Sequence, residues 1–190
     1  MDSSQKQQKL DEIAAKIASC EVCENLCKNC TNPVPGEGNP NALVLFIGEA
    51  PGAEEDREGR PFVGSSGKFL TEMIELIGLA REDVFITNIV KYRPPNNRDP
   101  FANEIQECLP YLLAQIKIIQ PKLIVFLGRH SMNIFLPELT ISRDHGKPVK
   151  KGGQVYLPLY HPAAALYNNS MRETLINDFK KIPTILKKIK

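Results

Sequence analysis

No apolar run in this chain approaches the ~20 residues that a membrane-spanning helix needs. The first eight residues, Met1 to Gln8, have no apolar core of the signal-peptide kind. Neither membrane insertion nor export is expected, and the chain reads as cytosolic, where structural disulfides are uncommon. Charge of one sign is also scarce: 24 Lys and Arg against 22 Asp and Glu leave a formal +2. Any contact with nucleic acid must therefore come from local basic patches, not from overall charge. Neither G-x-G-x-x-G nor a Walker lysine occurs, so a nucleotide cofactor has no support. Internal repeats and low-complexity segments are missing too.

What is present is an ordinary globular composition, 42% apolar and 24% charged over 190 residues. That is long enough for one full core, so residues 1–190 read as a single domain. Residues 1–30 form a helix and cysteine segment, and the loop at 31–41 is too near the start to bound a separate domain. Continuous apolar runs at Ala42–Ile47 and Leu123–Leu127 read as buried strands, and Val84–Val90 and Val155–Tyr160 read as the second and fourth strands. Helical spacing appears in Leu10, Ile13, Ala14 and Ile17, and in Phe69, Leu70, Met73, Ile74 and Ile77, with Ser65 or Ser66 as N-cap. It recurs from Ile105 to Ile119, where Pro110 is expected to interrupt or restart the helix. A last helix carries Leu175, Ile176 and Phe179, followed by a basic tail from Lys180 to Lys190. Strands alternating with helices predict an α/β fold, a parallel sheet covered on both faces.

The chemistry gathers where strands open into loops, the place where open α/β sheets hold ligands. Gly48 to Asp56 (GEAPGAEED) follows the first strand and crowds Glu49, Glu54, Glu55 and Asp56 beside two glycines. A carboxylate at a strand's carboxyl end is partly desolvated and can hold a water. Asn88 interrupts an apolar strand and, if buried, must find a partner. Phe62, in a Gly/Pro-rich loop, reads as core first and as a stacking platform second. His161 precedes Pro162 at a strand end and reads as a site residue, whereas His130 and His145 are placed on the surface or in loops. Five cysteines complete the set. Cys20, Cys23, Cys27 and Cys30 read C-x2-C-x3-C-x2-C, and Cys108 lies far downstream. In a cytosolic chain such clustered thiols favour zinc or an iron–sulfur cluster.

These residues fall in ordered motifs. C-x2-C at Cys20 and Cys23, Val34 to Asn39, GEAPGAEED at 48–56, GRPFVG at 59–64, Thr87-Asn88, RPPNNRDP at 93–100 and His161 to Ala164 together resemble the family 4 uracil-DNA glycosylases, the iron–sulfur type. The resemblance runs from about Cys20 to Lys181. It implies a three-layer α/β/α sandwich around a four-stranded parallel sheet, and hydrolysis of the bond between uracil and deoxyribose in DNA. The product would be an abasic site for base excision repair, and the uracil would be flipped out of the helix. By the same resemblance Phe62 stacks on the ring, Asn88 bonds its edge, and His161 faces O2. Glu55 is the favoured acid for holding water and stabilising the sugar cation, with Glu49 as runner-up. Glu49 and Ala50 also line the uracil site, Ala50 standing where better-known relatives have a catalytic Asp. Arg60 and the stretch Pro162, Ala163, Ala164 and Leu166 match DNA contacts, the latter as an apolar wedge.

The resemblance also implies a [4Fe–4S] cluster. One family ligand is replaced by Tyr92, so the expected set is Cys20, Cys23, Cys108 and Cys27, with Cys30 as the alternative to Cys27. The implied partner is uracil-containing DNA, single- or double-stranded, and the expected location is cytoplasmic and nucleoid-associated. A monomer is expected. The basic tail holds no convincing sliding-clamp peptide, and a sliding clamp remains a candidate partner. Two rivals stand beside this reading: a cluster-bearing DNA sensor without catalysis, and an enzyme of the same fold acting on another base.

Overall fold

The computed structural model describes residues 1–19 and 23–189. Among them, one sheet contains β1 (Glu37–Gly38), β2 (Val44–Gly48), β3 (Phe85–Asn88), β4 (Leu123–Leu127), β5 (Val149–Lys151) and β6 (Gln154–Leu159), in the order β1-β3-β2-β4-β6-β5. The central four, β3, β2, β4 and β6, run parallel, as the apolar runs predict. β1 and β5 add short antiparallel edges that two- and three-residue segments cannot announce in sequence.

The helices are α1 (Ser3–Ala18), α2 (Glu24–Cys27), α3 (Ala53–Glu58), α4 (Ser65–Leu76), α5 (Ala102–Ile119), α6 (Arg129–Phe135), α7 (Ile141–Asp144), α8 (Asn169–Phe179) and α9 (Ile182–Lys188). Alternation within each apolar strand feeds two cores. Leu45, Ile47, Ile124 and Phe126 pack on the face covered by α1 and α5. Val44, Phe46, Leu123 and Val125 pack on the face covered by α4, α8 and α9. Helices on both sides of the sheet give the three layers.

Four expectations need correction. The acidic loop contains α3, whose first turn takes in the Glu54–Asp56 carboxylates. Gly64, not Ser65 or Ser66, is the N-cap of α4. Pro110 sits inside an unbroken α5, because Cys108 and Leu112 on either side of it are fully buried and hold the helix to the sheet. The basic tail folds as α9, with Ile182 and Ile185 one turn apart and buried. No described helix is long and apolar enough to cross a membrane.

Candidate active site at the strand ends

β2, β3 and β6 end at one edge of the sheet. Glu49 follows β2, Asn88 is the last residue of β3, and His161 lies two residues past β6. Register brings two of these together, since Gly48 pairs directly with Asn88. The lack of a side chain at Gly48 is a requirement: a Cβ there would lie 2.3 Å from Asn88 Oδ1 and 2.6 Å from Phe62 Cζ. The result is a cavity of about 350 Å3 lined by Glu49, Ala50, Glu55, Phe62, Asn88 and His161, with Asn97, Arg98 and Asp99 on the opposite loop.

Phe62 is buried, yet it is not plain core. Its φ is +52°, and its ring stands 5.7 Å from the His161 ring. Such a backbone is strained for an aromatic residue and must be held by its surroundings. Gly67 of α4 packs so closely beneath it that a Cβ would meet Phe62 O at 1.9 Å. Glu55 supplies the other brace. Its Oε1 accepts from the N–H groups of Val63 and Gly64, each at 2.9 Å, and its Oε2 from Gly52 N–H at 3.1 Å.

The two glutamates thus have different surroundings. Glu55 is hydrogen-bonded on both oxygens. Glu49 Oε1 is buried without a hydrogen-bond partner, as is Asn88 Oδ1. Burial pushes the Glu49 carboxyl above the usual range; His130 and Arg129 pull it back, and Asp99 adds to the rise. His161 is driven the other way, down to about 4, because burial disfavours its charged form more than Glu55 favours it. Its Nδ1 accepts from Ala163 N–H at 3.1 Å. The neutral ring therefore carries its proton on Nε2.

His130 is a residue that sequence reasoning placed wrongly. It is half-buried, with Nδ1 3.8 Å from Glu49 Oε1 and Nε2 3.5 Å from Asp99 Oδ2. Its partners come from distant loops, and no spacing signal links them. His145 is also engaged, with Nδ1 2.6 Å from Asp178 Oδ2.

Around the mouth, Pro162–Ala165 form a 3-10 turn in which Ala163 and Ala164 are exposed while Pro162 and Ala165 are buried. Leu166 is half-buried against the core, and Tyr167 beside it is 95% exposed. Arg60 is exposed, but Glu37 holds its guanidinium through two hydrogen bonds and also takes Arg81.

The described cysteines pack in the core on the α1 and α5 face of the sheet. Cys20 falls outside the described residues. Cys23, Cys27 and Cys108 are buried and Cys30 is half-buried. Burial raises the Cys23 thiol to about 12 and pushes Cys30 and Cys108 up as well. Cys108 has the Lys91 N–H and the Cys23 thiol as hydrogen-bond partners. Tyr92 is fully buried among them: burial first, then Cys108, Cys30 and Cys23, hold its hydroxyl neutral, and it donates to Ile17 O at 2.6 Å. The free thiols of Cys23, Cys30 and Cys108 are soft donors of the kind that suits iron or zinc. Among the described residues, however, no three thiols meet at ligand spacing; the group that does is Glu49, Asp99 and His130.

The model of the uracil DNA glycosylase superfamily matches residues 35–186. Curated relatives share about half of the sequence. A type-4 uracil-DNA glycosylase of Sulfurisphaera tokodaii is 52% identical over 183 residues, covering 91% of this chain and 83% of that protein. One of Archaeoglobus fulgidus is 50% identical over 182 residues, covering 91% of each. Identity of this extent over 91% of the chain is decisive, and the chain belongs to the type-4 uracil-DNA glycosylases.

Proposed function

We propose that the strand-end cavity takes a uracil flipped out of DNA, and that Glu49 is the carboxylate that acts on it. The chain is a uracil-DNA glycosylase, which hydrolyses the N-glycosidic bond of deoxyuridine in DNA, releases uracil and leaves an abasic site for base excision repair.

One observation carries the residue assignment. Among the described residues, the buried side-chain oxygens without a hydrogen-bond partner are Glu49 Oε1 and Asn88 Oδ1, and both residues line this cavity. Leaving such groups unpaired costs about 1–3 kcal/mol each, so they are kept for a ligand. In this reading Asn88 Oδ1 accepts from uracil N3–H and its amide donates to O4. Cytosine offers neither complement and would leave both groups unpaired, a strong basis for rejection. Phe62 stacks on the ring, and Ala50 leaves room at the wall.

The chemistry follows the same groups. The C1′–N1 bond breaks, and its electron pair leaves with uracil and spreads onto O2. His161, neutral and protonated on Nε2, donates to that oxygen as charge develops. A water oxygen bonds to C1′, and Glu49 takes the proton that the water gives up. Glu55, with three backbone N–H groups already on its oxygens, acts as the clamp that sets Phe62. This reverses the order of the two glutamates expected from sequence. The turn from Pro162 through Ala163 and Ala164 to Leu166 meets the DNA, with Arg60 beside the mouth.

The cysteines are assigned to an iron–sulfur cluster: Cys20, Cys23, Cys108 and Cys27, with Cys30 as the alternative to Cys27. The adjacency of Cys23 and Cys108 supports this. When bound, such a group supplies a cross-link between α5 and the segment before α2, not a step in base release. Iron counted in anaerobically purified Cys27→Ser and Cys30→Ser identifies the fourth ligand, and unchanged iron in both removes the assignment. The working unit in this reading is a monomer. A sliding-clamp contact stays a separate question for binding assays.

Single-turnover uracil release from a uracil-containing oligonucleotide tests the site. Glu49→Gln and His161→Ala are each expected to lower the rate about a hundredfold or more. A wild-type rate in Glu49→Gln would remove Glu49 from the chemistry.

A further inference from the structure

Glu49 Oε1 is buried and has no hydrogen-bond partner, but it is not without a neighbour. His130, in the first turn of α6, holds Nδ1 3.8 Å away. The far side of the same ring is fixed. Its Nε2 accepts from Arg129 Nε–H at 3.1 Å and faces Asp99 Oδ2 at 3.5 Å. A neutral imidazole whose Nε2 accepts carries its hydrogen on Nδ1, and an imidazolium carries one there as well. In both states, therefore, the nitrogen 3.8 Å from Glu49 Oε1 carries an N–H. A second cavity of about 250 Å3, lined by Glu49, Arg129, His130 and His161, leaves the ring space to close the remaining gap.

We infer that His130 is a positioning residue for Glu49: its Nδ1–H aligns Oε1, whose remaining lone pair is left to engage the attacking water. The inference rests on the role given to Glu49 above. His130 does not touch the substrate. The titratable and charged groups facing Glu49 are His130 and Arg129 from the start of α6 and Asp99 from the loop at 93–100. Removing His130 takes away a group that favours the ionised carboxylate. The carboxyl then titrates at higher pH, and the acid side of the rate profile moves toward neutrality.

The test compares wild type, His130→Phe, His130→Asn, Glu49→Gln and the double variant His130→Phe/Glu49→Gln in single-turnover uracil release from acid to neutral pH. Product inhibition by free uracil is measured alongside. His130→Phe is expected to lower the neutral-pH rate about tenfold or more, as loss of a hydrogen bond to a charged group does. Its acid limb should shift upward while its affinity for free uracil stays unchanged. His130→Asn, whose amide can place an N–H near the position of Nδ1, should recover part of the rate. The double variant should be no slower than Glu49→Gln alone, because the two residues act through one oxygen. A purely structural His130 would lower both rate and uracil affinity and would leave the acid limb in place, and that pattern overturns the inference. So does a double variant slower than Glu49→Gln. Wild-type behaviour of His130→Phe with an inactive Glu49→Gln overturns it while leaving Glu49 in place. Wild-type behaviour of Glu49→Gln overturns the reading on which it stands.

Discussion

Asn88 ends β3 and Lys91 lies three positions beyond it, and both polar side chains are buried, at 1% and 0% exposure. Their hydrogen bonding is opposite. Lys91 Nζ donates to Thr87 Oγ1 at 2.7 Å, Gln115 Oε1 at 2.8 Å and Asn88 O at 2.9 Å, so all three of its hydrogens are used. Gln115 in turn donates to Pro35 O, and Thr87 does the same. Asn88 Oδ1 has nothing. A buried polar group that is satisfied works for the fold, and one that is not is kept for something absent. Burial alone does not separate the two; the hydrogen-bond count does. On this criterion the Lys91 network belongs to the scaffold, and Glu49 and Asn88 mark the proposed site.

The sharpest way to break that comparison is to remove one side chain from each side. Asn88→Leu should lower uracil release about a hundredfold or more, since the amide's discrimination and binding go together. Its stability should hold or rise, because a buried oxygen without a partner disappears. Lys91→Met should do the reverse. It orphans buried acceptors and should cost about 2–3 kcal/mol of stability, while the folded protein keeps most of its rate. Denaturant midpoints and single-turnover rates on the two variants give the answer. If Asn88→Leu is the less stable of the pair, unmet hydrogen bonding is not the mark of this site.

The same distinction explains how much could be read in the chain. The four central strands were legible because a strand buried on both faces must be apolar throughout, as in Val44–Ile47 and Leu123–Leu127. Asn88 stood out because it breaks such a run, and Phe62 and His161 because Gly and Pro fix the loops around them. The difference in surroundings between Glu49 and Glu55 was not legible. Both are glutamates of one loop, and what parts them is that Glu55 Oε1 meets the amides of Val63 and Gly64 after the chain has turned back. His130 was hidden for a related reason: its partners Glu49 and Asp99 arrive from two other loops. α9 was hidden by composition, since its lysines mask Ile182 and Ile185. Pro110 misled because a local rule was applied where the packing of Cys108 and Leu112 decides.

A smaller effect tests whether His161 belongs with the site side of this comparison. Its folded value is pushed down to about 4 by burial, whereas a solvated histidine titrates near 6.5. The unfolded chain therefore takes up a proton at a pH where the native ring still refuses one. Above the unfolded value neither state binds that proton, and His161 leaves stability independent of pH. Between that value and about 4 the unfolded state binds more protons, so stability falls as pH falls; below about 4 both states bind and the slope from this group ends. Replacing the ring by one that cannot titrate, as in His161→Phe, should flatten the decline in this window alone, which denaturant unfolding at neutral pH and at two acid points can follow. A difference between wild type and variant that is the same at every pH would mean that His161 is as freely hydrated as a surface histidine. The neutral Nε2–H donor assigned to the leaving uracil would then lose its physical basis.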